Sequence, residues 1–116
     1  MKYALLIYTD EKAYADATAE DRARTTEAHM AFGRLLDTRS PGWGGEQLGL
    51  SGAATMVRRS GDDFLLTDGP YAETAEQLGG FYLVDAADLD QALELAKALP
   101  SDLVEVRPVI EHGGQG

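Results

Sequence analysis

The first apolar segment of the chain, Tyr3 to Thr9, has aromatic and branched side chains and no breaker, which predicts a strand. The cluster Asp10-Glu11-Lys12 ends it. Successive side chains of a strand point to opposite faces, and here the alternation leaves both faces apolar. One face would carry Tyr3, Leu5 and Ile7, and the other Ala4, Leu6 and Tyr8. Both faces of this strand are therefore expected to pack against other parts of the protein.

Two segments have the apolar spacing of amphipathic helices. The first is predicted from about Ala19, with Thr18 as N-cap and Asp21 in the capping-box position, to about Asp37 or Thr38. The second follows Asp88 as N-cap and ends at Pro100. The buried stripe of the first helix is predicted to contain Ala28, Phe32, Leu35 and Leu36.

Shorter segments predict the remaining strands. A short strand is expected around Gln47 to Leu50, and the polar turn Ser60-Gly61-Asp62-Asp63 predicts a hairpin. The two strands of this hairpin are predicted at 54–58 and 64–67, on either side of the turn. Two further strands are predicted at 80–84 and 104–107. The strand at 80–84 is also apolar on both faces, since Phe81 and Leu83 oppose Tyr82 and Val84.

The order of these elements defines the predicted fold. It consists of two strand-helix-strand halves with an inserted hairpin, which is the split-βαβ, ferredoxin-like α+β arrangement. Residues 1–110 are expected to form one domain, and residues 111–116 a flexible tail. Both helices would cover one face of the sheet and leave the other bare, so a homodimer is expected. The alternative is a monomer whose long Gly-rich loop, which follows the first helix and contains Gly42, Gly44, Gly45, Gly49 and Gly52, folds across the open face.

Composition excludes several classes of protein. The 116 residues contain 20 acidic and 10 basic side chains, and a net charge of -10 disfavours nucleic acid and anionic membrane surfaces as partners. The absence of Cys excludes disulfides and thiolate chemistry. The apolar start, Met1 to Tyr8, is too short for a signal peptide or a membrane span, so a cytoplasmic location is expected.

The most distinctive part of the sequence is the string Leu66-Thr67-Asp68-Gly69-Pro70-Tyr71-Ala72-Glu73-Thr74, followed by 76–84. It resembles the YCII-related proteins of the DGPF-domain type, which are named for an Asp-Gly-Pro-Phe string. Tyr71 stands where the family name has Phe. The resemblance extends to Met1 to Asp10, to the second helix and to Val104 to Pro108, so that it covers nearly the whole chain.

The resemblance implies a dimeric α/β-barrel related in architecture to small cofactor-free isomerases and monooxygenases. It also implies an active-site pair of His and Asp, and His29 is the residue similar to that histidine. Some members are associated with sigma-factor regulation. The resemblance thus leaves both an enzyme and a regulatory protein open.

The residues themselves give a matching but weaker indication. His29 lies at the border of the apolar stripe, where an imidazole can exchange a proton if a carboxylate orients it. Asp68, at a strand end and before the Gly-Pro turn, is the candidate carboxylate. The alternatives are a surface histidine and an aspartate that only shapes its turn.

Further polar side chains are candidates for ligand binding in a shared cavity. These are Tyr8, Tyr71, Glu73 and Tyr82. No metal or cofactor is predicted, because the only histidines, His29 and His112, lack ligand spacing. Two hypotheses therefore stay open. One is a dimer that binds a small apolar or aromatic molecule and performs His29–Asp68 acid-base chemistry, and the other is a non-catalytic regulatory or interaction module linked to sigma-factor signalling.

Overall fold

The computed structural model describes residues 1–72 and 74–112, which contain six strands and three α-helices. In chain order these are β1 (Lys2–Asp10), α1 (Glu11–Asp16), α2 (Ala19–Arg39), β2 (Gly44–Gln47), β3 (Thr55–Ser60), β4 (Asp63–Asp68), β5 (Glu76–Asp85), α3 (Leu89–Ala98) and β6 (Leu103–Pro108). A short 3-10 helix, Ser51–Ala53, precedes β3. None of the helices in the described ranges is long and apolar enough to span a membrane.

Local capping explains where the helices begin. The Thr18 hydroxyl accepts from the Asp21 amide and the Asp21 carboxylate accepts in return from the Thr18 amide, which is the predicted capping box of α2. The Asp88 carboxylate caps α3 by accepting from the Gln91 amide, and the Gln91 side chain accepts from the Ala87 amide. The helix α1 was not predicted. The Asp10 carboxylate accepts from the amides of Lys12 and Ala13, so the cluster that ends β1 also starts a helix.

Four strands form one antiparallel sheet in the order β2-β5-β1-β6. This is the strand order of the split-βαβ unit, so the predicted ferredoxin-like α+β fold is confirmed. The strands β3 and β4 form a separate hairpin inserted between β2 and β5.

The observed β2 begins earlier than the predicted strand, because Gly44 and Gly45 pair with Leu83 and Tyr82. A side chain at Gly45 would place its Cβ 2.6 Å from the Phe81 carbonyl oxygen. The glycines that suggested a loop in the sequence are therefore what allows β2 to approach β5.

The helices α2 and α3 pack on the same face of the sheet. From the sheet, the core takes Tyr3, Leu5, Ile7 and Val84. The helices supply Phe32 and Leu36 from α2, and Ala92 and Leu95 from α3. The predicted stripe of α2 is thus confirmed for its C-terminal half, whereas residues 22–27 of that helix are exposed.

The other face of the sheet, here called the open face, carries Ala4, Leu6, Phe81 and Leu83. The register pairs Ala4 with Leu83 and Leu6 with Phe81, so these four side chains lie side by side. They are half-buried in the single chain. The Gly-rich loop lies beside one end of the sheet, because Leu48 donates its amide to Gly79 and the Ser51 amide donates to Glu11.

The hairpin β3–β4, here called the arm, projects from the domain. Its extensive contacts are between its own two strands, and its side chains are exposed except for half-buried Met56. Gly61 has φ +61° at the first position of the two-residue turn, which fits a type II′ hairpin. The radius of gyration of 16.5 Å exceeds the value of about 13 Å expected for a compact chain of this size.

Candidate functional site

A cleft of about 710 Å³ lies at the end of the open face, between the sheet, the Gly-rich loop and the base of the arm. Its apolar walls include Tyr8, Leu48, Leu50, Tyr71 and Leu78. Polar groups occur along its length, on Ser51, Thr74, Glu76 and Gln77. An apolar cavity with a few polar groups is the usual form of a small-molecule site.

A β-bulge brings two of the walls together. The register between β1 and β5 shifts between Ile7, which pairs with Gly80, and Tyr8, which pairs with Leu78. Gly79 is the extra residue, and a Cβ there would meet the Thr9 hydroxyl oxygen at 2.7 Å. Without the bulge Tyr8 would face Gly79 and Leu78 would turn toward the helices, because side chains alternate. The bulge therefore places Leu78 beside Tyr8 in the cleft.

Side-chain hydrogen bonds fix the two loops that border the cleft, which are the Gly-rich loop and the segment between β4 and β5. Both Glu11 carboxylate oxygens accept from Ser51, one from the amide at 2.7 Å and the other from the hydroxyl. The Gln77 side-chain amide donates to the carbonyls of Ala72 and Thr74, at 2.9 Å each. These bonds hold the loops in place before any ligand arrives, which lowers the entropic cost of binding.

A polar array stands on the open face next to the cleft. The Tyr8 hydroxyl donates to Glu105 Oε1 at 2.9 Å, and the Arg107 guanidinium donates to Glu105 Oε2. Arg107 is the main reason that the pKa of Glu105 lies below its ordinary value, with the Tyr8 bond adding to it. The bond to Glu105 raises the pKa of Tyr8. Tyr8 is therefore a neutral donor bound to a carboxylate, with a phenolic lone pair left to accept from a ligand.

His29 occupies a different place, on the side of the sheet that the helices cover. Its Nδ1 lies 2.9 Å from the Tyr82 hydroxyl, and the two rings are parallel with centroids 6.1 Å apart. Phe32 packs edge-on against Tyr82 at 5.0 Å, and Trp43 contacts the same ring at 5.6 Å. We call these four residues the aromatic cluster. The structure thus places predicted residues His29 and Tyr82 in direct contact.

Burial sets the protonation of this pair. It lowers the pKa of His29 and raises the pKa of Tyr82, so both side chains are neutral at neutral pH. In one arrangement the tyrosine hydroxyl donates to Nδ1, and in the other Nδ1–H donates to the tyrosine oxygen. Either arrangement fixes the orientation of the imidazole.

Two further predicted residues, Asp68 and Tyr71, lie on or beside the arm. Asp68 is the last residue of β4 and is exposed, and Gly69 after it has φ +89° and donates its amide to Ala54. Among the described residues, no hydrogen bond joins Asp68 to His29, whose recorded partner is Tyr82. Tyr71 is 76% exposed and lines the cleft. Glu73 lies outside the described residues.

Glu76 adds a carboxylate to the cleft. It is the first residue of β5 and pairs with Asp10. The bulge gives Glu76 the same orientation as Leu78, so it lines the cleft as a strand residue.

Two residues of the polar array, Glu105 and Arg107, were missed. The signal was present in the alternation of β6, in which Val104 and Val106 contact the core. The charges between them must then face the opposite side. What the sequence did not reveal is that Tyr8, which pairs with Leu103, reaches Glu105 across the strands.

In the described ranges no group of three His, Cys, Asp or Glu side chains is arranged to hold a metal ion. The cleft and the polar array beside it consist of tyrosines, apolar walls, one ion pair and the polar groups of Ser51, Thr74, Glu76 and Gln77.

Fold and site together define a small ferredoxin-like α+β domain with an apolar cleft at one end of its open face. The model of the YCII-related domain matches residues 1–112, so the chain belongs to the YCII-related family. An uncharacterised protein of Rhizobium meliloti (strain 1021) is 38% identical over 114 residues, which cover 94% of this chain and 92% of that protein. The family predicted from the sequence is thereby confirmed.

Proposed function

We propose that this YCII-related protein is a homodimer that binds a small, apolar or aromatic molecule in the cleft. The observation that carries the proposal is the cleft itself, in which Leu48, Leu50 and Leu78 provide apolar walls and Tyr8 a fixed hydroxyl. A flat ring fits such walls, and one polar substituent on it can donate to Tyr8.

The dimer follows from the open face. Ala4, Leu6, Phe81 and Leu83 form a contiguous apolar patch with no covering element in the described part of the chain. A second copy that presents the same patch is the simplest cover, since a twofold interface is self-complementary. Sedimentation velocity across a concentration series tests this step, and a monomer at every concentration contradicts it.

A thermal-shift screen with small aromatic and aliphatic acids, alcohols and ketones tests binding. A ligand present at 100 times its Kd stabilises the folded state by about 2.7 kcal/mol, which raises the Tm. Leu78→Gln introduces an amide into the cleft and is expected to abolish the shift. Leu93→Gln, on α3 and similarly exposed, is the matched control and should retain it. Equal losses in both variants, or no shift at millimolar concentrations, contradict the proposal.

Cofactor-free acid-base chemistry with His29 and Asp68 is a separate, catalytic part of the proposal, because neither residue lines the cleft. Its support is the neutral imidazole that Tyr82 orients. Titration of the His29 ring by NMR tests the role of Asp68. A His29 pKa that changes in Asp68→Asn supports the pair, and an unchanged pKa removes Asp68 from the chemistry.

The alternative, a non-catalytic regulatory or interaction module, is favoured by one observation, the exposed apolar arm. The screen separates the two functions. A module that acts through a partner protein gives no ligand-dependent shift, whereas a small-molecule site gives one that Leu78→Gln removes.

A further inference from the structure

The arm has two faces with different surroundings. Its inner face carries Met56, Arg58 and Leu65, which line a groove of about 480 Å³ together with Tyr71. The Arg58 guanidinium lies 5.9 Å from the centre of the Tyr71 ring. The inner face is therefore partly covered by its own chain.

The outer face is less covered. Val57 and Arg59 border the same groove, and the Arg59 guanidinium lies 4.6 Å from the centre of the Phe64 ring. The register pairs Val57 with Leu66 and Arg59 with Phe64, so these four side chains point to the same side. Val57, Phe64 and Leu66 are between 56% and 64% exposed. A two-stranded hairpin is only marginally stable in water, and one with three large apolar side chains exposed on one face needs a partner surface.

The cleft of the same chain is a matching surface. Leu48, Leu50, Leu78 and Tyr71 are all exposed there. The outer face of the arm does not close this cleft within the chain, because Phe64 and Leu66 are not among the residues that line it. Each molecule thus has two exposed apolar surfaces. The outer face of the arm projects into solvent, and the cleft lacks one wall.

The exposed apolar area points to a second copy of the chain as the occupant. The three outer-face and four cleft side chains, each offering on the order of 100 Å², provide roughly 700 Å². A standard interface takes about 800 Å² from each partner. The outer face carries one cation, Arg59, and one anion, Asp68, so the match between the arm and the cleft rests on apolar area.

We propose that the arm of each subunit packs its outer face across the cleft of the other subunit and forms the missing wall of the binding site. This inference rests on the proposed homodimer and adds to it, since each small-molecule site then contains side chains from two chains. We call this arrangement the arm exchange. With twofold symmetry each arm packs on the cleft of the other subunit, and the assembly closes at two subunits.

The chain has no Cys, so a single introduced thiol can be labelled without interference. Asp62→Cys at the arm tip receives a nitroxide, and this protein is mixed with unmodified chain labelled with nitrogen-15. Paramagnetic broadening of the Leu48 and Leu78 amides in the isotope-labelled chain is expected. A nitroxide on Asp90→Cys of α3 is the control and should leave those amides sharp.

Two adjacent leucines of β4 provide a second, matched test. Leu66→Ser, on the outer face, is expected to raise the dimer Kd at least tenfold in sedimentation equilibrium. Leu65→Ser, on the inner face and 55% exposed, should leave it within threefold. Both variants change the arm alone, so the sheet still folds.

The outcomes separate the arm exchange from the homodimer. Intermolecular broadening at the cleft together with the Leu66→Ser effect supports the exchange. A stable dimer with no broadening at Leu48 and Leu78, or with equal effects of the two serine variants, overturns the exchange alone. A chain that is monomeric at every concentration overturns the homodimer as well, and leaves the arm to a partner of another kind.

Discussion

Strand β1 and the strands of the arm both carry large apolar side chains, but in opposite surroundings. Leu5 in β1 is fully buried, while Leu66 in the arm is 64% exposed. The strand β1 is central to its sheet and lies under both helices, whereas β3 and β4 have only each other. Strand-forming character therefore shows where a strand is but not what covers it.

The largest effect that distinguishes the two regions is expected from leucine truncation. Leu36→Ala leaves a cavity between α2 and the sheet and should lower the free energy of unfolding by about 3 kcal/mol. Leu65→Ala in the arm should lower it by about 0.5 kcal/mol or less, because that side chain is already in water. Urea unfolding followed by circular dichroism measures both. Comparable losses would mean that the arm belongs to the core.

A second contrast uses two glycines. Gly45→Ala forces a methyl group against the Phe81 carbonyl and is expected to cost about 1–3 kcal/mol of global stability. Gly61→Ala has open space around it but a φ of +61°, so its strain, about 1–2 kcal/mol, falls on the arm turn. Hydrogen exchange should show loss of protection across the sheet for Gly45→Ala and confined to residues 55–68 for Gly61→Ala.

The pH dependence of stability tests the aromatic cluster. Because burial lowers the pKa of His29, the unfolded chain binds its proton more readily than the folded chain does. The stability that His29 contributes is present above its unfolded pKa of about 6.5 and is lost as the pH falls through the folded pKa. His29→Gln should therefore reduce the loss of stability between pH 7.5 and 5.5. An unchanged slope in urea unfolding at these pH values would show that the imidazole titrates as a surface group.

The smallest effect is expected from the ion pair that joins the helices. Arg39 and Glu94 lie 3.6 Å apart, with side chains 42% and 70% exposed. Glu94→Gln should change the free energy of unfolding by less than about 1 kcal/mol, and less in high salt. A larger loss would mean that charge, and not burial, holds α3 to α2.

Local signals in the sequence were sufficient for much of the fold. The capping box at Thr18, the turn at Gly61 and the alternation of β1 each depend on a few neighbouring residues, and each was predicted. The fold class followed from their order. The short α1 was missed because a polar cluster such as Asp10-Glu11-Lys12 is typical of a strand end, and here Asp10 is also the N-cap of a helix.

The site was harder to predict from the sequence, because its geometry depends on contacts between residues that are distant along the chain. His29 and Tyr82 were both chosen as candidates, but their mutual contact joins α2 to β5. The Tyr8–Glu105 bond depends on the pairing of the first and last strands. The bulge at Gly79, which orients Leu78, is a single-residue shift that alternation alone does not reveal.

Trp43 gives the molecule a built-in optical probe. It is the only tryptophan, its indole donates to Asp37 at 2.8 Å, and its ring rests on Tyr82. It does not line the cleft. Its emission therefore reports on the aromatic cluster, and should change when acid protonates His29, while a ligand that enters the cleft leaves it constant. Trp43 fluorescence can thus distinguish protonation in the aromatic cluster from ligand entry into the cleft without any label.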